Sequence, residues 1–309
     1  MRALVTGGAG FIGSHVVEAL QSRGDEVVVI DDLSSGRREN LEPACERGAV
    51  LIEGSISDPE AVAEAFGRSR PELVCHLAAQ IDVRRSVSDP LYDLGLNVGG
   101  TIALLERARE ESVQRFVFAS TGGAIYGEGA GRELPLSEAA ECRPDAHYGQ
   151  SKHSAEGYLG LYRRLYGLGA VALRLGNVYG PRQDPYGEAG VVAIFCRALA
   201  DGARPRVYGD GEQTRDYVFL ADVAAAFVAA SELGGDGPYN IGTGNETSVL
   251  ELGRRIASVS GGEFDPEMAP ARLGEVQRIS IDPGRAADEL SWRPVHELDQ
   301  GLRLTAESI

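Results

Sequence analysis

Residues 2–8, RALVTGG, form a short apolar run that ends in glycines, and residues 11–24 continue with the apolar spacing of a helix. Gly7, Gly10 and Gly13 stand three residues apart where the predicted strand turns into the predicted helix. Glycines at such a turn let the backbone approach a pyrophosphate, which then binds to the start of the helix. The start of the chain therefore predicts a strand, a nucleotide-binding turn and a helix.

The same alternation of short apolar strands and helices continues along the chain. Further strands are predicted at 26–32, 49–55, 72–79, 115–121 and 170–177. Helices are predicted at 58–67, 91–111 and 146–166. Strands that alternate with helices form βαβ units, so we predict an α/β fold with a Rossmann-type doubly wound parallel sheet.

The segment 176–190 is rich in glycine and proline and marks a boundary between two parts of the chain. The segment 214–232 has a pattern that can return to the main sheet. We predict a dinucleotide-binding Rossmann domain at 1–176, rejoined by about 216–242, and a smaller mixed α/β substrate domain at 177–215 and 243–309.

Composition narrows the classes of function. The formal charge of −16 argues against nucleic acid as a partner. No apolar run approaches the ~20 residues that cross a bilayer, and the chain starts directly on a strand pattern. The four cysteines form no C-x-x-C pair, which favours reduced thiols over a metal site. We therefore expect a cytoplasmic protein with no membrane partner.

The second predicted strand ends in Asp31, at the distance where nucleotide-binding folds carry an acidic residue, about 20 residues beyond the glycines. A carboxylate here accepts hydrogen bonds from both ribose hydroxyls of an adenosine and repels a 2′-phosphate. NAD is therefore favoured over NADP, although Arg37 and Arg38 keep NADP open as an alternative. A glycine turn that binds no nucleotide is the other alternative.

Lys and Arg together number 30, and Lys152 is the only lysine. Tyr148 lies one helical turn before it, on the same face of the predicted helix. Lowering the phenol pKa from about 10 by ~3 units requires roughly 4 kcal/mol. An ammonium at ~4 Å, at an effective dielectric constant near 20, supplies about that much. The pair thus predicts a tyrosine base with a pKa lowered by Lys152; an ordinary amphipathic-helix pair is the alternative.

The motifs TGGAGFIGSH (6–15) and YGQSK (148–152) resemble those of the extended short-chain dehydrogenases/reductases. Within that family the resemblance is to the NAD-dependent sugar-nucleotide epimerase/dehydratase group, particularly its UDP-glucose 4-epimerase members. It extends over the chain through segments at 31–41, 74–80, 97–106, 118–128 and 173–183. It implies a sheet of about seven strands, NAD as cofactor, a UDP-sugar substrate, and a homodimer joined through two long helices per subunit.

The resemblance also implies roles for individual residues. Tyr148 would be the base, Lys152 would hold the nicotinamide ribose, and Thr121 would be the third catalytic residue, with Ser120 as the alternative. The remaining cofactor contacts would be Phe11, Ile12, Asp32, Ser35, Gly36, Ser55, Ile56, Leu77, Ala78, Ala79, Gln80 and Asn97. The further substrate contacts would be Val83, Ser86, Asn177, Gly190, Val191, Arg215, Arg272 and Glu275.

The residues after Thr121 bear on the type of reaction. Dehydratases and decarboxylases of the group carry an acidic residue there, whereas this chain has no carboxylate until Glu128. Without a general acid, elimination lacks its partner, so we predict 4-epimerisation of UDP-galactose and UDP-glucose. One alternative is a UDP-glucuronate or UDP-N-acetylglucosamine 4-epimerase, since Ile279 settles no sugar preference. The others are a sugar-nucleotide reductase and a non-catalytic NAD-sensing protein.

Overall fold

The computed structural model describes residues 1–186, 190–233, 235–272 and 276–309. All four cysteines have free thiols, as predicted. Within these ranges no helix combines the length and the apolar character needed to cross a membrane.

The strands are β1 (Arg2–Thr6), β2 (Glu26–Asp31), β3 (Val50–Glu53), β4 (Leu73–His76), β5 (Arg115–Thr121), β6 (Gly169–Leu175), β7 (Asn177–Tyr179), β8 (Arg206–Tyr208), β9 (Thr214–Arg215), β10 (Tyr217–Phe219), β11 (Pro238–Ile241), β12 (Thr247–Ser248) and β13 (Glu267–Ala269). The α-helices are α1 (Phe11–Arg23), α2 (Glu42–Glu46), α3 (Pro59–Ser69), α4 (Val83–Ser88), α5 (Pro90–Leu94), α6 (Thr101–Glu110), α7 (Gly122–Ile125), α8 (His147–Tyr166), α9 (Val191–Ala200), α10 (Leu220–Leu233), α11 (Val249–Val259), α12 (Gly284–Glu289) and α13 (Leu298–Ala306). A 3-10 helix spans Arg38–Leu41 and a π-helical turn spans Gly95–Gly100.

Seven of the described strands form one sheet in the order β11-β6-β5-β4-β1-β2-β3, and every neighbouring pair in it is parallel. The other six form two-stranded sheets, β10-β7, β12-β9 and β13-β8. Its strands are apolar on both faces because helices cover both. Val5 packs in the layer that contains α1 and α10, whereas its neighbour Leu4 packs in the layer that contains α3, α6 and α8. The predicted doubly wound parallel sheet is confirmed.

The strand order reverses between β1 and β4, since β1 pairs with β2 on one side and with β4 on the other. The chain leaves these strands in opposite directions at their carboxyl ends, which opens a crevice there. The glycine turn follows β1, the segment from Leu77 to Gln80 follows β4, and Thr121 ends β5. The topology thus brings the predicted cofactor residues to one edge of the sheet.

The predicted helix at 91–111 is interrupted by the π-helical turn Gly95–Gly100. Glycine is a weak helix former, and the turn contains three glycines. A Cβ atom on Gly100 would lie 2.8 Å from Cδ1 of Ile56, so this position packs directly against the segment after β3. Such π turns occur frequently at functional sites, and this one carries Asn97.

The later part of the chain has a separate apolar cluster built from α9, α11 and α13 with β7, β8 and β10. It includes Phe195, Phe219, Leu252 and Leu302. Strand β11, in contrast, pairs with β6 at the edge of the main sheet. The chain therefore crosses between the two cores more than once after residue 176, while the exact domain limits stay a prediction.

At the glycine turn, backbone atoms contact one another so closely that no space is left for side chains. A Cβ atom on Gly13 would lie 2.0 Å from the carbonyl oxygen of Gly7. One on Gly7, whose φ is 70°, would lie 2.6 Å from the backbone nitrogen of Ala78. The start of α1 can pack this closely on the end of β1 only because these residues are glycines.

We therefore expect Gly13→Ala to lower the free energy of unfolding by about 2 kcal/mol, because the backbone must move apart to admit the methyl group. Gly67→Ala is the matched control, since no atom lies within 4 Å of a Cβ at this position in α3. The control should gain up to about 1 kcal/mol from helix propensity. Urea unfolding curves of both variants measure the difference; equal stability would contradict the packing argument.

Candidate active site

The start of α1 is suited to an anion. Gly10 precedes the helix with an extended backbone, no side chain caps the helix, and its first turn contains no acidic residue. The first backbone N–H groups of a helix lack intrahelical partners and carry partial positive charge. Gly7 and Gly13 keep side chains away from this point. The turn therefore fits the pyrophosphate of a dinucleotide.

Asp31 lies at the end of β2, beside the glycine turn, and is 7% exposed. Its carboxylate accepts hydrogen bonds from the backbone N–H groups of Ala9 at 2.8 Å and Leu33 at 2.9 Å. Burial raises the pKa of this carboxyl, while the two backbone donors oppose the shift. Each oxygen retains a second lone pair, so the group can also accept from a ribose.

The two arginines that kept NADP open are both engaged with carboxylates. Arg37 lies 3.7 Å from Asp184, and Arg38 donates to Glu53. Both arginine side chains are more than half exposed, so these pairs are weak. Nevertheless, a 2′-phosphate would have to displace them and also approach the Asp31 carboxylate. The arrangement favours NAD.

The adenine side of the crevice is formed by residues after β3. Ile56 is buried against the π-helical turn, and the hydroxyl of Ser55 accepts from the N–H of Ser57 at 3.2 Å. Next to the glycine turn, the backbone nitrogens of Leu77 and Ala78 both donate to the carbonyl of Thr6. The other predicted cofactor residues are half-buried Phe11, Ile12, Gly36 and Ala79, and exposed Asp32 and Ser35.

Lys152 is 3% exposed and lies under the end of β5. Its Nζ donates to the carbonyl oxygen of Ala119 at 2.9 Å and lies 4.5 Å from the centre of the Phe118 ring. Burial lowers the pKa of the amine to about 7, although the carboxylates of Asp93 and Glu156 oppose this. The only lysine of the chain is thus a buried group that can change its charge near neutral pH.

Tyr148 is half-buried in the first turn of α8. Burial raises its pKa above the ordinary value, and the negative charge of Asp93 adds to the shift. The lowered pKa predicted from the sequence is therefore wrong in this structure. That prediction counted the attraction of the Lys152 ammonium but omitted the cost of burying a phenolate and the nearby carboxylate.

Ser120 and Thr121 differ in their surroundings, as successive residues of a strand do. Ser120 is 4% exposed, and its hydroxyl donates to Glu156 at 2.6 Å. Thr121 is half-buried, and its side chain has no hydrogen bond within the described residues. The hydroxyl of Ser120 is committed to an internal contact, so the arrangement favours Thr121 as the residue open to a substrate.

Glu156 and Arg174 form a buried ion pair behind Ser120. The Arg174 guanidinium donates to both oxygens of Glu156, at 2.7 Å to Oε2 and 3.0 Å to Oε1. It also donates to the Tyr126 hydroxyl at 2.8 Å, which in turn donates to Asn240 at 2.8 Å. This network fixes α8 to β5, β6 and β11.

The side chain of Asn97 binds the backbone of Gln80 through two hydrogen bonds. The side-chain oxygen of Asn97 accepts from the N–H of Gln80, and its amide donates to the Gln80 carbonyl, both at 2.9 Å. Asn97 is 2% exposed and Gln80 is 6% exposed. Asn97 therefore ties the segment after β4 to the π-helical turn, while its predicted cofactor contact stays a prediction.

His76 is a buried core residue at the end of β4 whose two ring nitrogens both have hydrogen-bond partners. One ring nitrogen lies 2.7 Å from the Thr6 hydroxyl and the other lies 2.9 Å from the Thr101 hydroxyl. Burial lowers its pKa well below the usual value, with the Lys152 charge as the second cause. It remains neutral and holds β4 to β1 and α6.

The predicted sugar-side residues lie around the start of α8 and β7. Ser86 is fully buried, and its hydroxyl accepts from the N–H of Tyr148 at 3.2 Å; Val83 is exposed. A Cβ atom on Gly123 would lie 3.3 Å from Oδ1 of Asn177, so Asn177 borders the turn after Thr121.

The predicted nucleotide residues lie on the later part of the chain. Gly190 immediately precedes α9 and Val191 is its first residue. Arg215 lies in β9 and donates to the Thr214 carbonyl at 2.8 Å. The Arg272 guanidinium stacks on the ring of Tyr208, 3.8 Å from its centre. Glu275 lies outside the described residues.

A family model for the NAD dependent epimerase/dehydratase family matches residues 3–242. The protein belongs to this family. It is 46% identical to UDP-glucose 4-epimerase of Mycolicibacterium smegmatis over 309 residues, which cover 99% of this chain and 98% of that protein. The resemblance stated from the motifs is confirmed.

Two solved structures extend the comparison. UDP-glucose 4-epimerase with UDP-glucose from Thermotoga maritima has a TM-score of 0.95 at 46% identity, covering 100% of this chain and 98% of that chain. The NAD complex of UDP-glucose 4-epimerase from Thermus thermophilus has a TM-score of 0.92 at 44% identity, with coverage of 100% and 98%. With the NAD-dependent family and the fitting glycine turn, NAD is confirmed as the cofactor.

The sequence did not predict three buried polar residues near the site of this epimerase/dehydratase family member: Asp93, Glu156 and Arg174. Helical spacing could have drawn attention to two of them, since Glu156 lies four residues after Lys152 and Asp93 lies four before Asn97. Arg174 gave no such signal among so many arginines. Its role depends on pairing across the sheet, which no local pattern encodes.

The buried pair generates a stability prediction. Arg174→Gln should lower the free energy of unfolding by about 3 kcal/mol, because it leaves the Glu156 carboxylate buried without its cation. Arg255→Gln is the control, since Arg255 is 40% exposed in its pair with Asp299 and should cost less than about 1 kcal/mol. Chemical denaturation measures both; a similar small loss in each would contradict the assignment.

Proposed function

We propose that this protein is a UDP-hexose 4-epimerase that interconverts UDP-galactose and UDP-glucose. The observation that carries the proposal is the placement of Tyr148 and Lys152 on α8 at the crevice of the sheet, next to a turn after Thr121 that holds no acidic residue. The substrate is inferred from the relatives, which are UDP-glucose 4-epimerases. Such an activity would place the protein in galactose metabolism.

The chain would hold NAD with the glycine turn at its pyrophosphate, Asp31 at its adenosine ribose and Lys152 at its nicotinamide ribose. NAD held in this way would supply a reversible hydride acceptor for C4 of the sugar, so that the hydride can be returned to the opposite face of the 4-keto sugar. Lys152 uses one of its three N–H donors on the Ala119 carbonyl and keeps two for ligand oxygens.

Tyr148 would take the proton from the C4 hydroxyl and give it back after the sugar has turned. Its raised pKa makes the phenolate a strong base, although a small fraction of the group is ionised at neutral pH. Thr121, whose hydroxyl is uncommitted among the described residues, would hydrogen-bond the same oxygen and align it. Ser120 supports the strand and takes no part.

Elimination is disfavoured by the position of the nearest carboxylate. Glu128, the first acidic residue after Thr121, accepts from the backbone N–H groups of Gln277 at 2.6 Å and Arg278 at 3.1 Å. It is therefore tied to the loop before Ile279. A dehydratase needs a general acid and base beside the sugar, and no residue of the turn after β5 supplies one.

We assign the UDP part to the smaller domain, 177–215 and 243–309. Asn177, the start of α9 with Gly190 and Val191, Arg215 and Arg272 would contact it, with Glu275 as a further prediction. Arginine suits a pyrophosphate because its guanidinium can bind two oxygens at once. The Arg272–Tyr208 stack would orient one such arginine.

We infer a homodimer and a cytoplasmic location. Leu91, Leu94 and Leu165, on α5 and α8, are 78%, 50% and 61% exposed, and apolar side chains on these helices suit a helix–helix contact between subunits. The four free thiols suit a reducing compartment.

The proposed activity is tested by proton NMR of the purified protein with UDP-galactose and no added NAD. We expect the anomeric signal of UDP-glucose to grow to equilibrium, because the cofactor is regenerated in each cycle. Tyr148→Phe should lower the rate by at least about a hundredfold through loss of the acid–base group. Tyr158→Phe, on the exposed part of the same helix, is the control and should retain the rate.

Full turnover in Tyr148→Phe would overturn the mechanism. No turnover by the unmodified protein, even after NAD is added, would overturn the hexose assignment. UDP-glucuronate and UDP-N-acetylglucosamine would then be tested in the same assay. Turnover of either one would identify the protein as the corresponding 4-epimerase. Stoichiometric loss of NADPH absorbance would instead identify a reductase.

The two hydroxyls at the end of β5 give a separate prediction. Thr121→Ala should lower kcat at least about tenfold, because it removes a hydrogen bond at the reacting oxygen. Ser120→Ala should change kcat by less than about threefold, since it loses only an internal hydrogen bond to Glu156. Steady-state rates with UDP-galactose measure both; the opposite ranking would return the catalytic role to Ser120.

A further inference from the structure

Asp93 is a buried carboxylate in α5 that none of the roles above uses. It is 1% exposed, and its Oδ1 accepts from Nε2 of Gln80 and Nδ2 of Asn97, each at 3.0 Å. Within the described residues no lysine or arginine forms an ion pair with it. Burying a carboxylate without a cation costs free energy of folding, so such a residue is a candidate for a functional role.

The hydrogen bonds of Asp93 join three segments of the crevice. Gln80 belongs to the segment after β4, and its Nε2 also donates to the Asp82 carbonyl at 2.9 Å. Asn97 belongs to the π-helical turn, and its Nδ2 also reaches the Ser151 hydroxyl at 3.3 Å. That hydroxyl donates to the Tyr148 carbonyl at 2.9 Å. Asp93 therefore anchors a network that ends on the first turn of α8.

The charge of Asp93 acts on the two residues assigned to proton transfer. It favours the ammonium of Lys152 and opposes the phenolate of Tyr148, so it raises the pKa of both groups. Glu156 also favours the Lys152 ammonium, but its charge is balanced by Arg174. Asp93 is thus the carboxylate near Lys152 whose charge no guanidinium offsets among the described residues.

Other ionisable groups on the surrounding elements do not supply this negative charge. They are His76 on β4, Asp82 before α4, Arg84 and Arg85 on α4, Tyr92 on α5, and His147 and His153 on α8. His76 is buried between two threonine hydroxyls, and Asp82 accepts from the backbone N–H groups of Arg84 and Arg85. The Arg85 guanidinium is exposed and stacks on the Tyr92 ring, 4.0 Å from its centre.

We propose that Asp93 is a positioning residue of the active site: its buried carboxylate holds Gln80 and Asn97 against the start of α8 and gives the network that ends there a negative charge. The catalytic consequence rests on the proposed function, because Lys152 must be charged to hold the nicotinamide ribose and to assist Tyr148. The electrostatic part concerns the chain alone and can be measured without a substrate.

The only lysine makes this measurement possible. Protein labelled with lysine carrying ¹³C at Cε gives one side-chain signal, which reports the charge of Lys152 as pH is varied. We expect a midpoint of about 7 in the unmodified protein. Removing a negative charge favours loss of the proton, so Asp93→Asn should lower the midpoint by at least about half a pH unit.

Asp222→Asn is the matched control. Asp222 is a carboxylate of the same type, 2% exposed, that accepts from His296 in the apolar layer around α10, away from α8. Its loss should lower stability without moving the lysine midpoint. If Asp93→Asn does not fold, Asp93→Ser removes the same charge with a smaller side chain and carries the same expected shift. A midpoint within about 0.2 pH units of the unmodified protein in the folded Asp93 variant would overturn the proposal.

Turnover of UDP-galactose gives an independent reading. Since Asp93 raises the pKa of both Tyr148 and Lys152, both limbs of the kcat profile should move to lower pH in Asp93→Asn. A purely structural role would lower kcat without moving the limbs, and that result would also overturn the charge assignment. If the unmodified protein turns over no UDP-sugar, the proposed function fails while the lysine titration still tests Asp93.

Discussion

The close approach of α1 to the end of β1 is the constraint on which the rest of the site depends. The carbonyl of Gly7 occupies the space where Gly13 would carry a Cβ atom, so helix and strand meet backbone to backbone. This contact leaves the first N–H groups of α1 facing the crevice and sets Asp31, at the end of the neighbouring strand, beside them. The space and the N–H groups that suit a pyrophosphate follow from packing that no other residue type permits.

The second half of the site is organised by α8. This helix is bound to the sheet by Lys152 at the Ala119 carbonyl and, one turn later, by Glu156 at Ser120 and Arg174. Tyr148, one turn earlier, is held through its backbone by Ser86 and Ser151. Tyr148, the proposed base, therefore lies at the start of a helix whose orientation is fixed by buried polar contacts along its length.

The features that sequence reasoning predicted correctly are those encoded by local spacing. The glycine turn, the parallel sheet and the position of Tyr148 and Lys152 on one helix depend on residues close in the chain. The direction of the Tyr148 pKa shift was wrong because it depends on burial and on Asp93, which comes from a different helix. The interruption at Gly95–Gly100 was missed because the apolar spacing of 91–111 was given more weight than the three glycines within it. Ser120 could be separated from Thr121 only once Glu156 was placed.

The single lysine of an arginine-rich chain can now be explained physically. The space beneath the end of β5 offers one backbone carbonyl and an aromatic face to a cation that is 3% exposed. A guanidinium would bring five donors and a charge that it cannot lose, and most of those donors would be buried without partners. An ammonium needs fewer partners, and its charge can be adjusted by a carboxylate nearby. The site therefore favours lysine over arginine at this position.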